Sequence, residues 1–484
     1  MNVLTRPSQS PMFRQYHALK EKHPGCILLF RLGDFYEMFD EDAKVASRVL
    51  ELVLTSRGKP PSPKVPMCGF PHHAAQNHIA KLIKAGYKVA ICEQLEDPAQ
   101  AKGVLKRDVV RILSSGTYLD EQSHDTRLLV SLSLGSKVVG LSFVDPAIGV
   151  IQTNEYPFKK NFLVNLLSRL PVYECIFPVQ VEDEIRAVFQ DPLLKTKGVV
   201  LSPFDDWCFK PDMAKDTLLK HFNVANLHGF GLDKLPMATT STGALLEYLK
   251  QMNKQPLRHI DKVSLYCDEE FCFISPAAYR GLELRSLIDT LDYTLTPLGK
   301  RLYRFWFTHP LKQVELISQR QDAIECLTND DSLLERLRGF LKQISDKEKN
   351  VSRMSSGYTH AKDLLALRST LCLIPQFQNV LKPINNQLFD LTDIPELRQY
   401  LEEAINEDIP LSHPEGKVIR KGYHQELDEL RSLQESGHSW LKELQQQEIE
   451  RTVINSLKIG FNKIFGYYIE VTKTKIDAVP EDYI

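Results

Sequence analysis

Residues 31–39 read RLGDFYEMF and follow an apolar run, CILLF, at 26–30. The run predicts a buried strand, and Gly33-Asp34 predicts its end. The chain should then turn towards solvent, yet Phe35, Tyr36, Met38 and Phe39 keep it apolar, with Glu37 as the one acid among them. An aromatic at a strand-to-helix corner ordinarily belongs to a core. The surroundings keep a second reading open, because Arg31, Arg57, Lys59 and Lys64 place basic groups around it. An apolar wedge flanked by cations is what a protein needs to enter the minor groove of DNA and part its base steps. A carboxylate there repels phosphate, so it requires a purpose such as meeting a base edge.

The chain has 484 residues, too many for one core, so three or four domains are expected. No apolar run reaches the roughly 18 residues that span a bilayer, and MNVLTRPSQSPMFRQYHALK lacks the apolar centre of a signal peptide. Nine cysteines without a C-x-x-C pair argue against a disulfide framework and a zinc site, and point to a reducing, cytoplasmic setting. Residues 1–115 hold 17 Lys and Arg against 11 Asp and Glu, while the remainder holds 43 against 51. A basic first module on an acidic body suits a polyanionic partner, although such an imbalance also falls within ordinary scatter.

Up to about residue 115 the pattern is mixed α/β. EDAKVASRVLELVL begins with acids in its first turn, as a helix prefers. HAAQNHIAKLIKAGYKVAICEQ reads as helix, Gly stop and strand, and DVVRILSSGT as a further strand. From about 120, SKVVGLSFVDPAIGVIQTNEY predicts a hairpin turning at Asp-Pro, and KNFLVNLLSRL with VYECIFP predicts helix then strand: a second α/β domain. After about 240 the helical period dominates. A long helix is predicted over QELDELRSLQESGHSWLKELQQQEIERTVINSLKIG, with Leu427, Leu430, Leu433, Leu441 and Leu444 in a stripe and Gly437 as its weak point. IGFNKIFGYYIEVTKTK then reads as strand.

Catalytic spacings are missing. There is no G-x-x-x-x-G-K-[ST], H-E-x-x-H, G-x-S-x-G or G-x-G-x-x-G. His72, His73 and His78 lack the convergent partners of a metal site and read as residues leading into a helix. Asp40, Glu41 and Asp42 have two readings: a Mg²⁺ site in a nuclease, or acids at the positive end of a helix. VEDE (181–184) reads as a solvated face.

Four blocks carry a resemblance: PMFRQYHALKEKHPGCILLFRLGDFYEMFDEDAKVAS, VPMCGFPHHAAQNHIAKLIKAGYKVAICEQLEDPAQAKGVLKRDVVRILSSGT, TLDYTLTPLGKRLYRFW and LKIGFNKIFGYYIEVTK. In this order they closely resemble MutS-type mismatch-recognition proteins over essentially the whole chain. The resemblance implies a multidomain protein: an α/β mismatch-binding domain (1–115), an α/β RNase H-like connector (116–245), the first part of an α-helical core with lever helices (246–446) and the start of a β-rich clamp (447–484). It implies that Phe35 stacks on a mispaired or unpaired base from the minor groove and that Glu37 hydrogen-bonds that base. Tyr36 and Phe39 are expected to pack.

Arg57, Lys59 and Lys64, with Asn462, Lys463 and Lys473 of the clamp, are expected on the DNA backbone. The implied partners are duplex DNA with mismatches or small loops, a second copy and a MutL-type repair protein. The setting is a nucleoid-associated one in the cytoplasm, without a membrane. ATP and Mg²⁺ belong to a C-terminal domain that these residues do not include, so no cofactor, metal or enzymatic turnover is expected of this chain. YRGLELRSLIDTLDYT (279–294) is shorter than the usual family connection, which puts the local core geometry in question. A metal-dependent nuclease and a non-catalytic interaction scaffold are the alternatives.

Overall fold

The computed structural model describes residues 10–58, 64–96, 105–118, 126–355, 357, 359–384, 386–409, 417–462, 466–472, 475 and 479–480. Two compact units result, residues 1–359 with 373–391, and residues 360–372 with 392–484.

The larger unit begins with helix α1 (Pro11–Lys22) and a six-stranded sheet of β1 (Cys26–Leu32), β2 (Phe35–Phe39), β3 (Thr55–Arg57), β4 (Val65–Pro71), β5 (Lys88–Gln94) and β6 (Arg107–Leu113). The strand order is β3-β4-β2-β1-β5-β6. β1 and β2 form a hairpin pairing Leu32 with Phe35 and Phe30 with Glu37. Its tight turn needs a left-handed residue, and Gly33 supplies it at φ 59°. The two faces of β2 bury different residues. Tyr36 and Met38 pack beneath α2 (Asp40–Leu50) and α3 (Ala75–Lys84). Phe39 joins Tyr16 of α1 and Phe30 on the other side.

The acids starting α2 do not converge. Buried Asp42 accepts from the Tyr16 hydroxyl (3.2 Å), Lys20 Nζ (2.7 Å) and the Leu28 amide (3.0 Å). Glu41 pairs with Lys44, and Asp40 lies 3.8 Å from His17. Asp42 therefore pins α1 and β1 to the start of α2.

A second sheet contains β7 (Leu128–Leu134), β8 (Val138–Val144), β9 (Val150–Pro157), β10 (Val172–Pro178), β11 (Val200–Phe204) and β12 (Lys262–Leu265), in the order β11-β10-β7-β8-β9-β12. β7, β8 and β9 form an antiparallel meander, and Asp145 closes the β8–β9 turn by accepting from the amides of Ile148 and Gly149. α4 (Lys160–Arg169), α5 (Glu182–Phe189), α6 (Pro192–Lys195), α7 (Pro211–Phe222) and α8 (Pro236–Asn253) complete the region.

The boundary read between residues 245 and 246 falls inside α8, so the helical body does not begin there. α8 is buried along nearly its whole length and packs on β7 and β8, while β12 adds a parallel strand beside β9. Close approach explains the packing. A Cβ on Gly140 of β8 would lie 2.0 Å from the Met237 carbonyl, and one on Gly243 would lie 2.5 Å from Ala214 of α7. α8 also contacts β6, so one apolar cluster joins both sheets.

Beyond the sheets the unit is helical: α9 (Pro276–Gly281), α10 (Leu284–Thr290), α11 (Pro297–Thr308), α12 (Val314–Thr328), α13 (Asp331–Leu341) and α14 (Lys347–Ser355). The short segment 279–294 forms the second half of α9 and all of α10. Arg301 of α11 binds Asp346 through both terminal nitrogens at 2.8 Å. α15 (Ala361–Leu381) gives Leu373, Phe377, Val380 and Leu381 to a small core with Leu337.

In the smaller unit, Cys372 of α15 donates to Glu402 of α16 (Pro395–Ala404), and Arg368 pairs with Glu407. α17 (Gln425–Thr452) runs unbroken through Gly437. Leu430 and Leu433 of its stripe are exposed, while Leu427, Leu441 and Leu444 are half-buried. β13 (Lys458–Asn462) and β14 (Gly466–Glu470) form an antiparallel pair, anchored to α17 where Gln445 donates to the Leu457 carbonyl.

Candidate nucleic-acid interface

β2 carries a graded set of side chains on one face. Phe39 at its end is wholly buried, with ring centroids 5.0 Å from both Phe13 and Tyr16. Glu37 lies between. Phe35, the first residue past the turn, is 47% exposed, a large apolar cost left at the open end of an otherwise buried strand. Two contacts hold that turn: the His72 amide donates to the Asp34 carbonyl at 2.8 Å, and His72 Nδ1 lies 3.1 Å from the same oxygen.

Beneath it, the Tyr36 hydroxyl donates to Glu93 of β5. Burial first, then that hydrogen bond, raises its pKa far above a tyrosine's usual range. Arg31 sits over the Tyr36 ring, 5.6 Å from its centroid, and 3.9 Å from Glu93. The base of the turn is thus stiff while the Phe35 ring is open.

Glu37 is only partly solvated. Its side chain is 17% exposed, and Oε2 accepts from Arg57 Nη1 at 2.6 Å. β4 separates the strands of these two residues, and Gly69 of β4 stands opposite Glu37. A Cβ on Gly69 would lie 2.7 Å from the Tyr36 carbonyl and 3.3 Å from Glu37 Cγ. The bare backbone at Gly69 lets the carboxylate side chain lie across β4.

Of the residues expected at the DNA, Phe35 and Glu37 of β2 and Arg57 of β3 lie in one sheet, and Lys64 is exposed just before β4. Lys59, Lys463 and Lys473 lie outside the described residues. Asn462 ends β13 in the smaller unit. His72 belongs to the Phe35 turn, and His78 stacks on Phe70 with centroids 4.3 Å apart, where burial lowers its pKa. Among the described residues no group of three or more His, Cys, Asp or Glu could hold a metal ion. The sequence reading missed Gly69, the His72–Asp34 contact and Glu93. Gly69 had a legible signal, a glycine inside a strand pattern; the other two depend on pairings distant in sequence.

No helix among the described residues is long and apolar enough to cross a membrane. Three family descriptions match in order along the chain: MutS domain I over residues 10–122, MutS domain II over 127–261 and MutS domain III over 277–467. The chain is 38% identical over 500 residues to the DNA mismatch repair protein MutS of Methanococcoides burtonii, covering 98% of this chain and 56% of the relative. The protein of the same name from Salinibacter ruber is also 38% identical, covering 98% and 54%. That of Syntrophomonas wolfei is 35% identical, covering 98% and 57%. The chain spans about half the length of the curated relatives it matches. With three consecutive domain matches and this identity along nearly its whole length, the chain belongs to the MutS family of DNA mismatch repair proteins.

Proposed function

We propose that this chain recognises mispaired or unpaired bases in duplex DNA, with Phe35 as the wedge and Glu37 as the group that meets the displaced base. The observation that carries the reading is the exposed Phe35 ring on a stiff turn, two residues from a nearly buried carboxylate. A matched duplex resists kinking and unstacking, and a mismatch lowers that cost. Phe35 then stacks where a paired base would refuse it, entering from the minor groove. Lys59 and Lys64, with Asn462, Lys463 and Lys473 of the smaller unit, hold phosphates without reading sequence. The sequence groups Arg57 with them, but its guanidinium faces Glu37.

The same reading makes the second sheet an RNase H-like connector, α17 a lever helix and β13–β14 the start of a clamp. It places ATP and Mg²⁺ chemistry outside these 484 residues, assigns a second copy and a MutL-type protein as partners, and sets the protein in the cytoplasm with the nucleoid.

The test is Phe35→Ala, titrated against G·T and G·C duplexes. Base–aromatic stacking is worth ~1–3 kcal/mol, so the preference for the mismatch should fall roughly ten- to a hundredfold. A Phe35→Ala chain that melts normally and discriminates as the parent does would sink the wedge.

A further inference from the structure

Arg57 stands at the end of an edge strand, 45% exposed, in the position of a phosphate-binding cation. Its guanidinium nevertheless turns inward to Glu37, across the bare backbone at Gly69. Among the described residues only Oε2 of Glu37 is engaged, and none donates to Oε1. Of the other cations at this end of the sheet, Arg31 is committed to Tyr36 and Glu93. Arg57 is the one described cation bonded to the carboxylate.

A carboxylate carried against phosphates is repelled unless its charge is balanced locally. A flexible Glu must also be fixed before it can reward one base geometry over another. One Arg contact performs both tasks here and leaves Oε1 as an acceptor.

We propose that Arg57 is the positioning and charge-balancing residue for Glu37, and thereby determines mismatch specificity. It does not serve as a generic phosphate contact. This rests on the reading of Phe35 and Glu37 as the mismatch contact. The two roles for Arg57 differ in what they change. A phosphate contact supports matched and mismatched binding alike and contributes to their salt dependence. A residue acting through Glu37 supports only the difference between them, and its effect disappears once Glu37 is gone.

The experiment uses the full 484-residue chain. The parent, Arg57→Ala, Arg57→Lys, Glu37→Ala and the Arg57→Ala/Glu37→Ala double variant are titrated against G·T and G·C duplexes between about 50 and 200 mM salt. Melting curves accompany each variant to confirm folding. Arg57→Ala should lower the mismatch preference about tenfold with the matched-duplex salt slope unchanged. Arg57→Lys, which keeps the charge and one donor, should recover part of the loss. In the Glu37→Ala background, Arg57→Ala should change the preference by less than about twofold.

An equal loss for both duplexes with a shallower salt slope would overturn the inference. So would an undiminished effect without Glu37, or no effect of Arg57→Ala on a parent that discriminates. A parent that binds both duplexes alike overturns the proposed function itself, and the inference falls with it.

Discussion

Glu37 on β2 and Glu174 on β10 are both strand carboxylates beside aromatic rings, and the fold treats them oppositely. Glu174 is 0% exposed. It accepts from the Ser114 hydroxyl, the Gly116 amide at 2.9 Å, and the Ser202 and Tyr248 hydroxyls at 2.6 Å each, with Lys88 Nζ 3.7 Å away. Those partners come from β5, the turn after β6, β11 and α8. One carboxylate therefore ties the two sheets and their shared helix together. Among the described residues Glu37 has one side-chain partner, at the rim, and an oxygen to spare. A buried charge is tolerable only when its acceptor capacity is filled. An acceptor left open is affordable only near solvent, and there it is available to a ligand. The first kind of site is structure, and the second is a candidate for recognition.

That contrast can be broken most severely at Glu174. Glu174→Ala strands three hydroxyls and an amide around a cavity and should cost ~3–5 kcal/mol, read by urea denaturation. A loss below ~1 kcal/mol would show that the joint between the sheets does not depend on it. Phe39→Ala belongs at the same end of the scale, at ~3–5 kcal/mol, because its ring lies in the core beside Tyr16.

A smaller effect is expected of pH at His309, another polar group inside the larger unit. Burial, foremost, pulls its imidazole down to about 4, opposed in part by the Phe305 carbonyl. Its Nε2 faces the Tyr266 hydroxyl at 3.1 Å. The folded state thus disfavours the proton that the unfolded chain takes up near 6.5. The stabilisation is fully present above pH 6.5 and is lost as pH falls towards about 4, amounting to ~3 kcal/mol over that window. Denaturation midpoints of the parent and His309→Gln across pH 4–7 should differ most in slope between those limits. Parallel curves would remove His309 from the account.

The smallest stability change is expected at the rim. Phe35→Ala should alter the urea midpoint by less than ~1 kcal/mol, because half the ring already meets water. A loss equal to that of Phe39→Ala would make Phe35 a core residue and erase the contrast with the interior.

Much of the first sheet was legible because its signals are local. Gly33-Asp34 marks the end of β1 as expected, but the corner expected after it is a strand, β2, in which Tyr36 and Met38 share a buried face. Acids before VASRVL, Gly86 after α3 and Asp145-Pro146 between β8 and β9 each mark a boundary through backbone preferences of a few residues. The helical period, expected from about residue 240, and the long α17 are legible for the same reason. Gly437 did not break α17, since one glycine costs a helix only ~1 kcal/mol relative to Ala.

By itself, then, the sequence determined the family, the change from a mixed α/β to a helical pattern and many element boundaries, and it made Phe35 and Glu37 candidates. Only the tertiary structure decided which of these meet. The helical pattern of α8 cannot say that both sheets bury it, and it was assigned to the helical body for that reason. Nothing near Asp42 announces Tyr16 and Lys20, and nothing near Glu37 announces that Arg57 reaches it past Gly69. Periodicity and capping arise from neighbours a few residues apart. Charge pairing and burial depend on separations that exist only after the sheet has formed, and those separations settle whether an arginine faces solvent or a carboxylate.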